Sequence, residues 1–212
     1  MRVEIWSDVV CPWCYIGKRR LERALEGFDG RDEVEITWRS FQLNPGLPKG
    51  SRIPHAEYLA SKMGVSPEQL RQLNERVTAL AAAEGLAYDF DRYITVNTFD
   101  AHRVTHLATS MGLGLPIHER LLSAQLVEGE VLDDVDTLAR LARELGVPEA
   151  DTRRVLAGDE FADAVRADID EAHALGVNGV PFFVLDRRYG ISGAQPAELF
   201  LEALETARRE AA

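Results

Sequence analysis

The stretch DVVCPWCYIG, residues 8–17, holds the only two cysteines of a 212-residue chain, three positions apart with proline and tryptophan between them. Thiols at that spacing can close one small disulfide ring, supply half of a metal site, or pack as small apolar side chains. A bridge across so short a loop removes little entropy from the unfolded chain. At this length and with 46% hydrophobic residues the chain can bury a core without staples. The pair therefore reads as chemistry and not as bracing.

Upstream of the pair, residues 3–6 read as a short buried strand. Downstream, Ile16, Leu21, Ala24, Leu25 and Phe28 recur at helical spacing among Lys18, Arg19, Arg20 and Glu22. CPWC thus lies between a strand and the start of a helix. Residues 34–41, VEITWRSF, alternate with a period near two and predict a second strand that ends at LNPG, residues 43–46.

A long middle section then turns helical. Ser66, Pro67 and Glu68 open a helix running toward Gly85, with Pro67 suited to the first helical position. Another begins near Asn97, Thr98, Phe99 and Asp100 and runs to Gly112. Further helices are predicted over 117–127, 135–145, 152–156 and 161–175. After Gly176, VNGVPFFVLD (177–186) contains a buried strand, RRYG (187–190) reads as a turn, and Ile191 and Ser192 as a second short strand. A closing helix runs from Pro196 through Leu199, Phe200, Ala203 and Leu204. The expected class is α/β: residues 1–50 and 176–212 form one β-α-β and β-β-α unit, interrupted by an all-α insertion over 51–175.

A net charge of -11 argues against nucleic acid or an anionic membrane as partner. The start, MRVEIWSDVV, lacks the basic segment, apolar run and small-residue cleavage site of an export signal, and no stretch approaches ~18 uninterrupted apolar residues. The expectation is a soluble cytoplasmic protein. In that reducing compartment a cysteine pair is catalytic, redox-sensing or metal-binding.

A helix start presents unpaired N–H groups and a partial positive charge, which favour a thiolate. Cys11, nearest that end, is read as the nucleophile, and Cys14, one turn in, as the thiol that resolves the mixed disulfide. Pro12 fixes the local backbone, and Trp13 offers an apolar contact for a peptide substrate. His102 and His106, four apart on one helix face, could complete a tetrahedral zinc site with the two cysteines. The order of ligands is unlike a small zinc finger and a domain of this size needs no metal to fold, so no metal is expected. Packing of the helical block over the cysteines would bring Asp100 or His102 near Cys11, although Asn97 and Asp100 also read as a helix cap.

The strand and helix order with CxxC at the first strand-to-helix turn resembles the thioredoxin fold. The large helical insertion, CPWC, WRSFQLNP (38–45), NTFDAHR (97–103) and GVPFF (179–183) together resemble the DsbA-like family, and within it the cytoplasmic FrnE-like branch. That branch is itself similar to 2-hydroxychromene-2-carboxylate isomerases and kappa-class glutathione transferases. The resemblance spans nearly the whole chain. It implies a cis bond between Val180 and Pro181, with the proline beside the cysteine pair and the Val180 N–H and C=O free to pair with an extended substrate. It also implies glutathione contacts at Asn44 and in the turn SGAQP (192–196), at Gly193, Ala194 and Gln195, where a helix start can hold a carboxylate.

The function implied is a cytoplasmic thiol-disulfide oxidoreductase or isomerase, with a redox-active disulfide instead of a bound cofactor. Its partners are protein or small-molecule thiols and disulfides, with glutathione as the candidate co-substrate. The competing reading is a glutathione-dependent isomerase or transferase acting on an organic electrophile. Those relatives carry serine where this chain has Cys11, so the two cysteines favour redox chemistry. A non-enzymatic redox sensor has no partner motif to support it. The residues leave open the direction of exchange, which depends on how far the protein stabilises the reduced pair, and whether the protein is a monomer or a homodimer.

Overall fold

The strand that precedes the cysteines is the one on which the rest is assembled. In the computed structural model, which describes residues 1–211, β1 (Arg2–Ser7) is buried from its second residue onward. It pairs in parallel with β2 (Glu35–Ser40), from Arg2 opposite Glu35 to Ser7 opposite Ser40. A parallel pair needs a crossover, and α1 (Pro12–Glu26) provides it.

On its other edge β1 pairs antiparallel with Phe182–Leu185, which in turn pairs antiparallel with Tyr189–Ser192. Between these last two strands the turn at 186–188 places Asp186 and Arg187 at φ values of 47° and 58°. The closing helix, Ala197–Ala211, packs with α1 on one sheet face, burying Val3, Ile5, Leu21, Phe183, Phe200 and Leu204 together.

Between β2 and this hairpin lie, in order, β3 (Ile53–Pro54), α2 (His55–Met63), α3 (Pro67–Ala83), β4 (Ile94–Thr95), α4 (Phe99–Ser110), α5 (Gly114–Leu126), α6 (Val135–Glu144), α7 (Glu149–Ala157) and α8 (Ala162–Ala174). The hairpin strands are then β5 and β6 and the last helix α9, and the four-stranded sheet has the order β2-β1-β5-β6. α8 covers the face opposite α1, where Trp6 Nε1–H donates to the Asp168 carbonyl at 2.8 Å.

The middle section departs from the sequence reading in two places. It is not wholly helical, because β3 and β4 pair antiparallel, and it contains α2, which the apolar pattern does not reveal. α2 buries only His55, and strands of two residues are too short to show alternation, so tertiary pairing decides both. Tyr189 and Gly190, read as part of a turn, belong to β6. Local chemistry accounts for α3 directly: the Ser66 hydroxyl accepts from the Gln69 N–H at 3.2 Å while the Gln69 side chain accepts from the Ser66 N–H at 2.9 Å.

The helical block shares a core with the cysteine turn. One continuous cluster joins Val9, Val10, Cys11, Cys14, Tyr15 and Ile16 to Ala81, Tyr93, Val104, Leu107, Leu121, Leu138 and Val155. The segment bearing the thiols is therefore clamped from the helical side as well as from the sheet. Among the described residues no helix is long and apolar enough to cross a membrane.

Candidate active site

Cys11 is the capping residue of α1, in extended conformation, with its N–H donating to the Asp8 carbonyl at 2.9 Å. Its own carbonyl accepts from the Cys14 N–H at 3.0 Å, and Pro12 occupies the first turn, where a missing N–H costs nothing. Both thiols are free, and they are 4% and 0% exposed for Cys11 and Cys14. Trp13, at 39%, stands at the rim.

The Val180–Pro181 peptide bond is cis. The Cys11 thiol donates to the Val180 carbonyl at 3.5 Å. Gly17 lets α1 come this close: a Cβ there would lie 3.0 Å from Pro181 Cγ, 3.2 Å from Phe183 Cζ and 3.4 Å from Ala194 Cβ. Three segments distant in sequence thus meet around Gly17, on the helix that Cys11 caps.

The two cysteines are not equivalent. Burial pushes the Cys14 thiol well above its ordinary value and the adjacent Cys11 sulfur adds to that, while the Ser7 hydroxyl and the Asp8 N–H pull the other way. Cys14 is thus the thiol that burial keeps protonated. Two phenols brace the turn: Tyr88 donates to the Pro12 carbonyl at 2.7 Å, and Tyr93 donates to the Val10 carbonyl. Burial, then the negative groups around the thiols, pushes both phenols up, so they remain donors.

Asp8 is fully buried beneath the turn. Its Oδ2 accepts from the Leu43 N–H at 2.8 Å, whereas its Oδ1 lies 3.4 Å from Nε2 of His102 and neither of those two atoms has a hydrogen-bond partner. His102 therefore reaches the cysteine turn through Asp8. Asp100 turns elsewhere, to Lys49 at 2.7 Å and Arg103 at 2.9 Å. His106 faces Ser40 and Asp168, each at 3.1 Å, so the two histidines serve different partners.

Asn44 Oδ1 accepts from Tyr58 and from Lys62, both at 2.5 Å, which directs it to α2. The SGAQP turn is tied to the proline: the Gly193 N–H donates to the Pro181 carbonyl at 2.8 Å and the Gln195 N–H to the Gly193 carbonyl at 3.0 Å. Arg20 on α1 donates to the Ala194 carbonyl at 2.6 Å. Ala194 is thus beside the site, but two of the turn's N–H groups are engaged within the chain. Sequence reasoning missed Ser7, Asp8, Tyr88 and Tyr93. A polar Ser-Asp pair ending a buried strand was a readable signal for the first two; the tyrosines lie in an irregular segment without periodicity.

Residues 2–205 match the family described as DSBA-like thioredoxin domain. A probable DsbA oxidoreductase from Streptomyces coelicolor has a solved structure that superposes with a TM-score of 0.96 at 46% identity, covering 99% of this chain and 91% of that one. The cytosolic disulfide reductase DsbM from Pseudomonas aeruginosa, solved with GSH, superposes at 0.64 with 20% identity over 99% of this chain and 100% of its own, a likeness of fold. YwbO of Bacillus subtilis (strain 168) is 24% identical over 212 residues, 99% of this chain and 98% of its own.

Proposed function

Because this chain belongs to the DSBA-like thioredoxin domain family of thiol oxidoreductases, we propose that it is a cytoplasmic thiol-disulfide oxidoreductase or isomerase with Cys11 as nucleophile and Cys14 as resolving thiol. The Cys11 thiolate attacks a substrate disulfide. The substrate S–S bond breaks, one sulfur leaves as a thiolate, and the other remains on Cys11 as a mixed disulfide. Cys14 then attacks Cys11 Sγ and releases the second substrate thiol, so the substrate gains the two electrons that the protein pair loses. Run backward, the same steps oxidise a dithiol.

The observation that carries this reading is the contact of the Cys11 thiol with the Val180 carbonyl, with Cys14 buried behind it. A thiolate cannot donate, so ionisation of Cys11 releases that carbonyl to accept an N–H from an extended substrate. At 4% exposure, Cys11 is reached by an extended peptide or a small disulfide and not by a rigid protein surface. Glutathione fits that limit and is the small thiol we assign to recycle the pair; the GSH named with the Pseudomonas aeruginosa reductase is consistent with this choice.

The test is to equilibrate the protein in glutathione buffers, alkylate free thiols and count them by mass. The reading expects an internal Cys11–Cys14 disulfide with a defined potential. A potential well above the cytosolic glutathione poise identifies an oxidase or isomerase, and one near or below it a reductase. Failure to form any internal disulfide overturns the redox mechanism.

A further inference from the structure

Ser7 closes β1 fully buried, and its hydroxyl lies 3.1 Å from Nε2 of His118 on α5. His118 is 2% exposed, and its ring stacks on Trp38 of β2 with 3.8 Å between centroids and 17° between planes. Cys14 packs in one core with Ile117 and Leu121 of α5, on either side of His118 in the chain, and the Ser7 hydroxyl favours its thiolate. We propose that His118, acting through Ser7, is a positioning residue for the resolving thiol Cys14 in the exchange described above, a reading on which this inference rests.

Stacking on Trp38 fixes the imidazole plane. Burial, reinforced by His102 and Lys18, pushes the ring's titration well below its ordinary value, so it stays neutral. A neutral imidazole has one N–H and one lone pair, and a serine hydroxyl has one proton and two lone pairs. With its proton on Nε2, His118 donates to Ser7 Oγ, and the Ser7 O–H is left to donate to Cys14 as a thiolate. With the proton on Nδ1, the Ser7 O–H donates to Nε2 and Ser7 Oγ accepts the S–H of the Cys14 thiol. One buried contact therefore satisfies both protonation states of the resolving sulfur without placing a new charge in the core.

During resolution Cys14 gives up its proton and attacks Cys11 Sγ. The bond from Cys11 to the substrate sulfur breaks, its electron pair leaves with that sulfur, and the proton ends on the departing thiol. Ser7 and His118 finish as they began. Their contribution is to lower the barrier to ionising a sulfur that burial otherwise keeps protonated.

Reaction of the reduced protein with dithiobis-nitrobenzoate separates the two steps, because the first coloured thiolate released reports attack by Cys11 and the second reports attack by Cys14. Ser7→Ala and His118→Phe are expected to slow the second release, relative to the first, about tenfold, the scale of one hydrogen bond to a charged group. Ser7→Thr, which keeps the hydroxyl, and His118→Gln, which keeps an N–H, are expected to recover most of the rate. In a Cys11→Ser background, Ser7→Ala should also move the ultraviolet thiolate titration of Cys14 upward. Biphasic release in the wild type with an unchanged second phase in both Ser7→Ala and His118→Phe overturns this inference alone. A wild-type protein that stops after the first release overturns the exchange reading and this inference with it.

Discussion

Cys11 and Cys14 share a helix turn but face different surroundings, one against a carbonyl at the rim and the other against a hydroxyl and an N–H in the core. Replacing each should therefore fail differently. Cys14→Ser is expected to stop after the first exchange and accumulate a mixed disulfide at Cys11, seen as an adduct in the intact mass. Cys11→Ser should form no such adduct, and a variant retaining full exchange would return the protein to a glutathione-dependent isomerase or transferase. Tyr93 braces the same turn from the helical side. Its phenol answers the Val10 carbonyl in a fully buried setting, so Tyr93→Phe orphans an acceptor and should cost about 1–3 kcal/mol, measurable by urea unfolding.

Among the elements, α1 carries the site, and its seating depends on a missing side chain. Glycine inside a helix normally costs stability, about 0.5–1 kcal/mol relative to alanine. Here it permits contact with Pro181, Phe183 and Ala194, all of which lie within 3.4 Å of the Cβ that Gly17 lacks. Gly17→Val is expected to destabilise the fold by about 1–3 kcal/mol through overpacking and to slow exchange, since it pushes α1 away from β5 and the segment before it that presents Val180. Denaturant midpoint and exchange rate should fall together; an unchanged rate would show that the spacing of α1 and β5 does not matter to the chemistry. The SGAQP turn is placed by the same packing, through Gly193 on the Pro181 carbonyl and Arg20 on Ala194.

Across the whole molecule, an ionic network built on two buried carboxylates links the sheet to the helical block. Glu4 on β1 accepts from Arg39 on β2 and Arg187 in the hairpin turn, and Arg39 also holds Asp168 of α8 at 3.0 Å. Burial opposes ionisation of both carboxyls, but Arg187 and Arg39 at Glu4, and His106, the Ser40 N–H and Arg39 at Asp168, outweigh it and hold both below the usual carboxylate range. A carboxyl depressed in the folded state contributes its stability fully above its unfolded value, near ~4, and loses it as the pH falls through the lower folded value. The melting temperature should therefore drop on acidification below about pH 4, and Glu4→Gln should start lower at neutral pH and show a shallower acid limb. Parallel curves for the two proteins would remove Glu4 from the account.

The sequence alone determined the chain order of the main strands and long helices and the strand-to-helix junction that carries the cysteines, because each is written in residues close together along the chain. Pro181 as a neighbour of the pair came only from the family resemblance. The order of β1, α1 and β2 and the Ser66 cap need no more than local spacing and hydrogen-bonding chemistry. The tertiary structure decided what surrounds the thiols. Ser7 and His118 are 111 residues apart, and Cys11 and Val180 are 169 apart. Such contacts leave no periodic trace, since the chain closes them only when the sheet and helical block bury a common core. The same reason hid α2 and the β3–β4 pair: their stability comes from neighbours and not from an apolar pattern of their own.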